Sequence, residues 1–139
     1  MKRVFVLAFF ITVVLCSQVY PSKMSVVYNC PSFNVYVSQH FKGEKLIIDG
    51  KIENLYYVPL IDIIGYVDGI SHNRIIEKKE FYIGYIGEWQ DVDSAKSFEI
   101  VFQKGDKIKK LKFTINYNYA SWKESVNNYE YFTLKVLNR

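Results

Sequence analysis

The sequence predicts an all-β fold, a sandwich of seven to nine short antiparallel strands. Three observations lead there. Residues 33–41, 45–54, 96–104, 107–119 and 129–137 alternate apolar and polar side chains with the two-residue period of a half-buried strand. Turn formers, among them Gly43, Pro59, Gly69, Gly87 and Gly105, punctuate these runs at regular intervals. No window carries the 3.6-residue period of an amphipathic helix, and 17% of the chain is aromatic, with 12 Tyr and 10 Phe, the side chains that suit strands.

Taken in order, the chain opens with a leader over residues 1–22, ahead of a β-sandwich domain over 23–139. Lys2 and Arg3 form a short basic start, residues 4–15 are apolar apart from Thr12, and Cys16, Ser17 and Gln18 turn polar. That is the layout of a secretory signal peptide, and the apolar run is shorter than the ~20 residues a membrane span needs. An uncleaved leader would instead act as a signal anchor. Cys16 stands where a lipidated cysteine would, but Leu15 before it is not the small residue such a signal uses. With Cys16 removed, Cys30 is left alone, with no internal disulfide, and is expected to be buried and inert.

The domain begins with a short β-like piece at 25–30, stopped by Pro31. In the next strand Phe33, Val35 and Val37 share one face. Residues 42–44 form a turn. Residues 46–69 then read as a hairpin: Leu46, Ile48 and Ile52 lie at one parity of its first strand, a loop carries Tyr56 and Tyr57, and a second strand runs from Leu60 to a turn over 68–73. Pro59, without an N–H to donate, suits a strand start. Residues 74–86 hold two apolar pieces around a charged centre, giving two short strands or one bent one. A polar loop over 87–95 leads to a strand with Phe98, Ile100 and Phe102 inward. Gly105 and Asp106 suggest a hairpin turn. The next strand places Leu111, Phe113, Ile115 and Tyr117 on one face, opposite Lys110 and Lys112. After a loop or single helical turn around Trp122, the last strand alternates Phe132, Leu134 and Val136. Polar residues dominate the outward parity of most strands, which predicts a solvated, lysine-blunted surface.

The segment Leu46-Ile47-Ile48-Asp49-Gly50-Lys51-Ile52-Glu53-Asn54 resembles the "V-x-G-x-V-x-N" strand of small exported immunoglobulin-like domains, with Gly50 in mid-strand and Asn54 at its end. Ile63 to Asp68 resembles the strand that follows in them, and Ile83-Gly84-Tyr85-Ile86 with Ser97-Phe98-Glu99-Ile100 resembles a later section. This is the pattern of FxLYD and late-embryogenesis-abundant-like domains. The resemblance spans roughly residues 33–119, lacks a literal F-x-L-Y-D, and has Asp91-Val92-Asp93-Ser94 where the pattern has Pro-Gly. It implies an immunoglobulin-like β-sandwich in an envelope or extracellular setting, and no catalytic residues.

Function classes are narrowed mainly by what does not assemble. The formal charge is +4, and without Lys2 and Arg3 the remainder carries 16 basic against 14 acidic residues, too balanced for a nucleic-acid footprint. His40 and His72 stand far apart beside turns, with no carboxylate or cysteine at metal-ligand spacing. Glu88, Asp91 and Asp93 share a loop that lacks the glycine and terminal glutamate of a calcium loop. No nucleophile-elbow motif is present. The expectation is therefore no catalytic residues, no metal and no cofactor.

The candidates that remain are loop aromatics, Tyr56, Tyr57, Trp89 and Trp122, because loops on a rigid scaffold carry recognition and Tyr and Trp dominate interface hot spots. The reading is a monomeric, non-catalytic binding or envelope-associated module, secreted, periplasmic or at the cell surface. Its partner is expected to be a protein or envelope component and not nucleic acid, with membrane contact only through an uncleaved leader. The alternative is a membrane-anchored structural subunit of an assembly, and a remote one is a small hydrolase.

Overall fold

A computed structural model describes residues 24–120 and 128–137. Among them are eight strands: β1 (Ser25–Asn29), β2 (Phe33–Lys42), β3 (Lys45–Asn54), β4 (Leu60–Ser71), β5 (Arg74–Ile86), β6 (Ala95–Phe102), β7 (Lys110–Tyr119) and β8 (Asn128–Lys135). A single 3₁₀ turn, Gly105–Lys107, is the only helical element of the described residues. The strands form two antiparallel four-stranded sheets, β1-β2-β3-β6 and β5-β4-β7-β8. Stacked face to face, they make an immunoglobulin-like β-sandwich.

The alternation read from the sequence decides which side of each strand is buried. Phe33, Val35, Leu46, Ile48 and Ile52 from the first sheet meet Leu60, Val67, Leu111, Phe113 and Ile115 from the second, all fully buried. Cys30 is buried too, and burial pushes its thiol above the ordinary range, as befits an inert cysteine. Gly50 pairs across the strands with Phe98, and Gly65 with Phe81. Each ring lies over its glycine, where an added methyl would overlap it. The two rings stack on each other at 3.8 Å with 4° between planes, so a glycine–ring–ring–glycine column ties one sheet to the other.

The sides of the sandwich are closed differently. On one, Glu77 of β5 accepts hydrogen bonds from the backbone N–H groups of Gln103 (3.0 Å) and Lys104 (2.9 Å), just past β6. On the other, the Gln39 amide of β2 donates to the Lys135 carbonyl (3.1 Å) and accepts from the Leu137 N–H (3.2 Å). Beside it, Tyr28 of β1 donates to Glu130 of β8 and stacks on Phe132 at 4.8 Å.

Three local expectations are corrected. Residues 46–69 are not a hairpin: β3 pairs with β2 and β6, while β4 pairs with β5 and β7 in the other sheet. Five connecting residues readily span the ~10 Å between sheets, and both edges of each strand are already occupied. For the same reason Gly105 and Asp106 do not close a hairpin; the 3₁₀ turn there carries the chain from β6 across to β7. The turn expected over 68–73 contracts to His72 (φ 52°) and Asn73 (φ 62°), a two-residue connection of the type antiparallel strands favour. Gly69 lies inside β4 instead, paired with Leu111, and Ile108 covers it so closely that a side chain there would overlap it. Residues 74–86 form one continuous strand, bulged against β4 near Ile63 and Ile70.

Candidate functional site

Asn54 ends β3 with its side chain completely buried, and burying an amide is tolerable only when its donors and acceptor are used. Its Nδ2 donates to the Val58 carbonyl (2.9 Å) and to the Gly87 carbonyl (2.9 Å), and its Oδ1 accepts from the Tyr56 N–H (2.8 Å). One side chain thus fixes two loops, residues 55–59 between β3 and β4 and residues 87–94 between β5 and β6. Backbone bonds complete the clamp. The Trp89 N–H donates to the Tyr56 carbonyl (2.8 Å), Asn54 N–H to Ser94 (2.8 Å), Leu55 N–H to Ser32 (2.8 Å) and Ala120 N–H to Pro59 (3.0 Å). The second loop is held internally by Gly87 N–H on the Asp93 carbonyl (2.7 Å) and Asp91 N–H on the Glu88 carbonyl (3.0 Å).

This scaffold presents an aromatic end to solvent. The Tyr56 ring lies 4.4 Å from Tyr57 and 5.0 Å from Tyr119. Tyr119 is in turn held by a hydroxyl contact with Ser32 and packs edge-on to Tyr117 at 5.7 Å. Tyr57, Trp89 and Val92 are 68%, 55% and 96% exposed. The Tyr56 hydroxyl donates to that of Tyr57 at 3.4 Å, and this contact holds its phenol above the ordinary value. Of the four aromatics singled out from sequence, Tyr56, Tyr57 and Trp89 are brought together; Trp122 lies outside the described residues.

Other sequence candidates do not converge. His40 lies 3.8 Å from Asp49 on the outer face of the first sheet, and His72 sits at the β4–β5 turn with its Nδ1 3.1 Å from the Ser71 hydroxyl. Asp91 turns onto the neighbouring Val92 N–H (2.7 Å). Among the described residues no three His, Cys, Asp or Glu side chains come close enough to share a metal ion. The sequence reading missed Tyr119, Val92 and the role of Asn54. A strand-ending asparagine before a Tyr-Tyr loop was visible, but its second loop partner lies 33 residues away.

No protein-family model matches the chain, and no curated protein matches it. Solved structures do share its fold. The GAE domain of GGA2p from Saccharomyces cerevisiae superposes with a TM-score of 0.60 at 13% identity, covering 84% of this chain and 99% of that one. The yeast GGA1 GAE domain gives 0.53 at 13% identity, over 83% of this chain and 100% of that one. At such identities the likeness is one of fold, an immunoglobulin-like β-sandwich matched over nearly its whole extent.

Proposed function

We propose that this protein is a non-catalytic binding module that takes a protein partner at the loop end carrying Tyr57, Trp89 and Val92. The observation behind this reading is the clamp at Asn54. It holds exposed aromatics on a pre-ordered backbone, so docking them costs little conformational entropy. Large rings with one polar edge are the side chains from which interface hot spots are built. The same reading places the module outside the cytoplasm, in secreted, periplasmic or surface-attached form, on the strength of the basic, apolar, then polar leader over residues 1–22.

The experiment is photo-cross-linking in the native host, with the photoreactive side chain placed at Tyr57 and, as a control, at Asn73 on the opposite end. A discrete adduct is expected from position 57 and not from 73, and it should fade when Trp89→Ala is added. Asn54→Ala should also abolish it, although it removes no exposed ring. Equal adducts from both ends would sink the binding-end assignment. Fractionation and intact mass address location: recovery from the cytoplasm at the full 16.4 kDa would refute export, whereas 16.4 kDa in the membrane would favour an anchored subunit.

A further inference from the structure

The outward face of the β5-β4-β7-β8 sheet is not the uniformly polar surface that single strands suggest. Its inward parity is filled by Val67, Phe113, Ile115 and Phe132, so the alternate residues point to solvent. Registered across the four strands, they form successive rungs: Tyr82, Ile64, Asn116, Tyr129; then Glu80, Tyr66, Thr114, Tyr131; then Lys78, Asp68, Lys112, Thr133. A fourth rung ends in Lys110 and Lys135. Tyr82, Tyr129, Tyr131 and Tyr66 are 73%, 62%, 62% and 39% exposed, and Tyr129 and Tyr131 lie nearly parallel at 6.3 Å. An open depression of about 510 Å³ lies between the aromatic and basic halves; Tyr66, Asp68, Lys78, Glu80, Thr114 and Asn116 are among its lining residues, together with Lys79, which is paired with Glu77.

Three properties of this face select a ligand. Four tyrosine rings on one side offer flat apolar surface where an exposed aromatic cluster otherwise has no use. Lys78, Lys110, Lys112 and Lys135 make no ion pair with any other described residue and outnumber the neighbouring Asp68 and Glu80, so the face keeps a net positive charge for an external anion. Asn116 lies in the rung of Tyr82 and Tyr129, Glu80 and Thr114 in that of Tyr66 and Tyr131, and Asp68 between Lys78 and Lys112, so hydrogen-bond acceptors and donors are interspersed among the rings and lysines. Rings for C–H faces, polar groups for hydroxyls and lysines for carboxylates together match a polysaccharide containing uronic acids. Asp68 and Glu80 can accept hydrogen bonds from the free hydroxyl groups that every sugar ring of a glycan carries, whereas the deoxyriboses along a DNA strand have none to offer them. Four strands and four rungs make a platform of about 14 by 20 Å, room for a short glycan segment.

We propose that the outer face of this sheet binds an acidic polysaccharide, its sugar rings on Tyr66, Tyr129 and Tyr131 and its carboxylates against Lys78, Lys110 and Lys112. This site is separate from the loop end and does not depend on the protein-binding reading.

Affinity electrophoresis of the full chain tests it, in native gels containing polygalacturonate, neutral dextran or no polymer, with an oligothymidylate titration alongside. Polygalacturonate should retard the protein and dextran should not. Tyr66→Ala and Tyr131→Ser should each weaken retardation about fivefold, the effect of ~1 kcal/mol per ring contact. Lys110→Gln with Lys112→Gln should weaken it and flatten its salt dependence. Both tyrosines are exposed, so thermal melts should be unchanged; Tyr129→Ser is the substitute if either variant loses its fold. Absence of retardation by polygalacturonate overturns the proposal. So does retardation indifferent to every tyrosine substitution, which would be charge attraction alone, or tighter binding to oligothymidylate than to the glycan.

Discussion

Gly50→Ala should destabilise this protein, and Phe98→Ala should abolish that loss. A methyl group at position 50 would overlap the far edge of the Phe98 ring. That ring cannot retreat, because its other face rests on Phe81 at 3.8 Å, and Phe81 in turn covers Gly65. Overpacking of this kind costs about 1–3 kcal/mol. Against it stands ~0.5 kcal/mol from the reduced freedom of the unfolded chain when glycine becomes alanine. The net expectation is a loss of about 1–2 kcal/mol. Phe98 is only 8% exposed, so Phe98→Ala alone should cost about 3–5 kcal/mol, leaving a cavity over Gly50. In that background the alanine methyl at 50 enters empty space and should be neutral or stabilising by up to ~1 kcal/mol. The coupling between the two sites is therefore about 2 kcal/mol, well above the additivity limit for independent sites. Urea unfolding of the four proteins, followed by tryptophan fluorescence, measures it, because 2 kcal/mol moves a midpoint by about 1 M for a domain of this size. If Gly50→Ala costs the same with and without the Phe98 ring, to within ~0.5 kcal/mol, the column does not join the sheets as described.

Two further expectations concern titration. Burial raises the Glu77 carboxyl, but hydrogen bonds from Gln103 and Lys104 N–H and the nearby Lys79 outweigh it, so the group sits below its ordinary value. A carboxylate depressed in the folded state contributes stability above its unfolded value near 4.3, and that contribution is lost as pH falls through the lower folded value. Glu77→Gln should therefore cost about 1 kcal/mol at pH 7 and nothing in strong acid, and a pH-independent difference in denaturant midpoint would contradict this. Tyr28, which donates to Glu130 and is partly buried, is pushed up to about 12, and burial drives Tyr117 higher still. A phenol raised in the folded state stabilises it fully below the unfolded value near 10, and loses that effect as pH rises through the folded value. Ultraviolet titration of the native protein should show tyrosines still protonated at pH 11 that ionise together on alkaline unfolding, and Tyr28→Phe should remove one of them.

The division of information between chain and fold can be followed residue by residue. Alternation alone puts Phe33, Leu46, Phe98, Leu111 and Phe132 on the apolar face of their strands, and each is buried, because a strand's two-residue period is a property of its own backbone. Pro31 and Gly43 likewise marked real breaks, since their effect on backbone angles is local. Tyr56, Tyr57 and Trp89 were legible as loop aromatics for the same reason. Their assembly was not, because it depends on Asn54 reaching the Gly87 carbonyl, a contact no periodicity reports.

The sequence alone determined the all-β class and most of the strands, and in the strands around 33–41, 45–54, 96–104, 107–119 and 129–137 it determined which side is apolar and buried. The tertiary structure decided which strands are neighbours, and alternation is silent on that. So the 46–69 segment, read as a hairpin, instead crosses between sheets. Lysines 110 and 112, which face away from the aromatics of their own strand, share a surface with tyrosines from β4 and β8. Those juxtapositions come from backbone hydrogen bonding between distant segments, which depends on how two sheets bury a common core and not on the local order of residues along the chain.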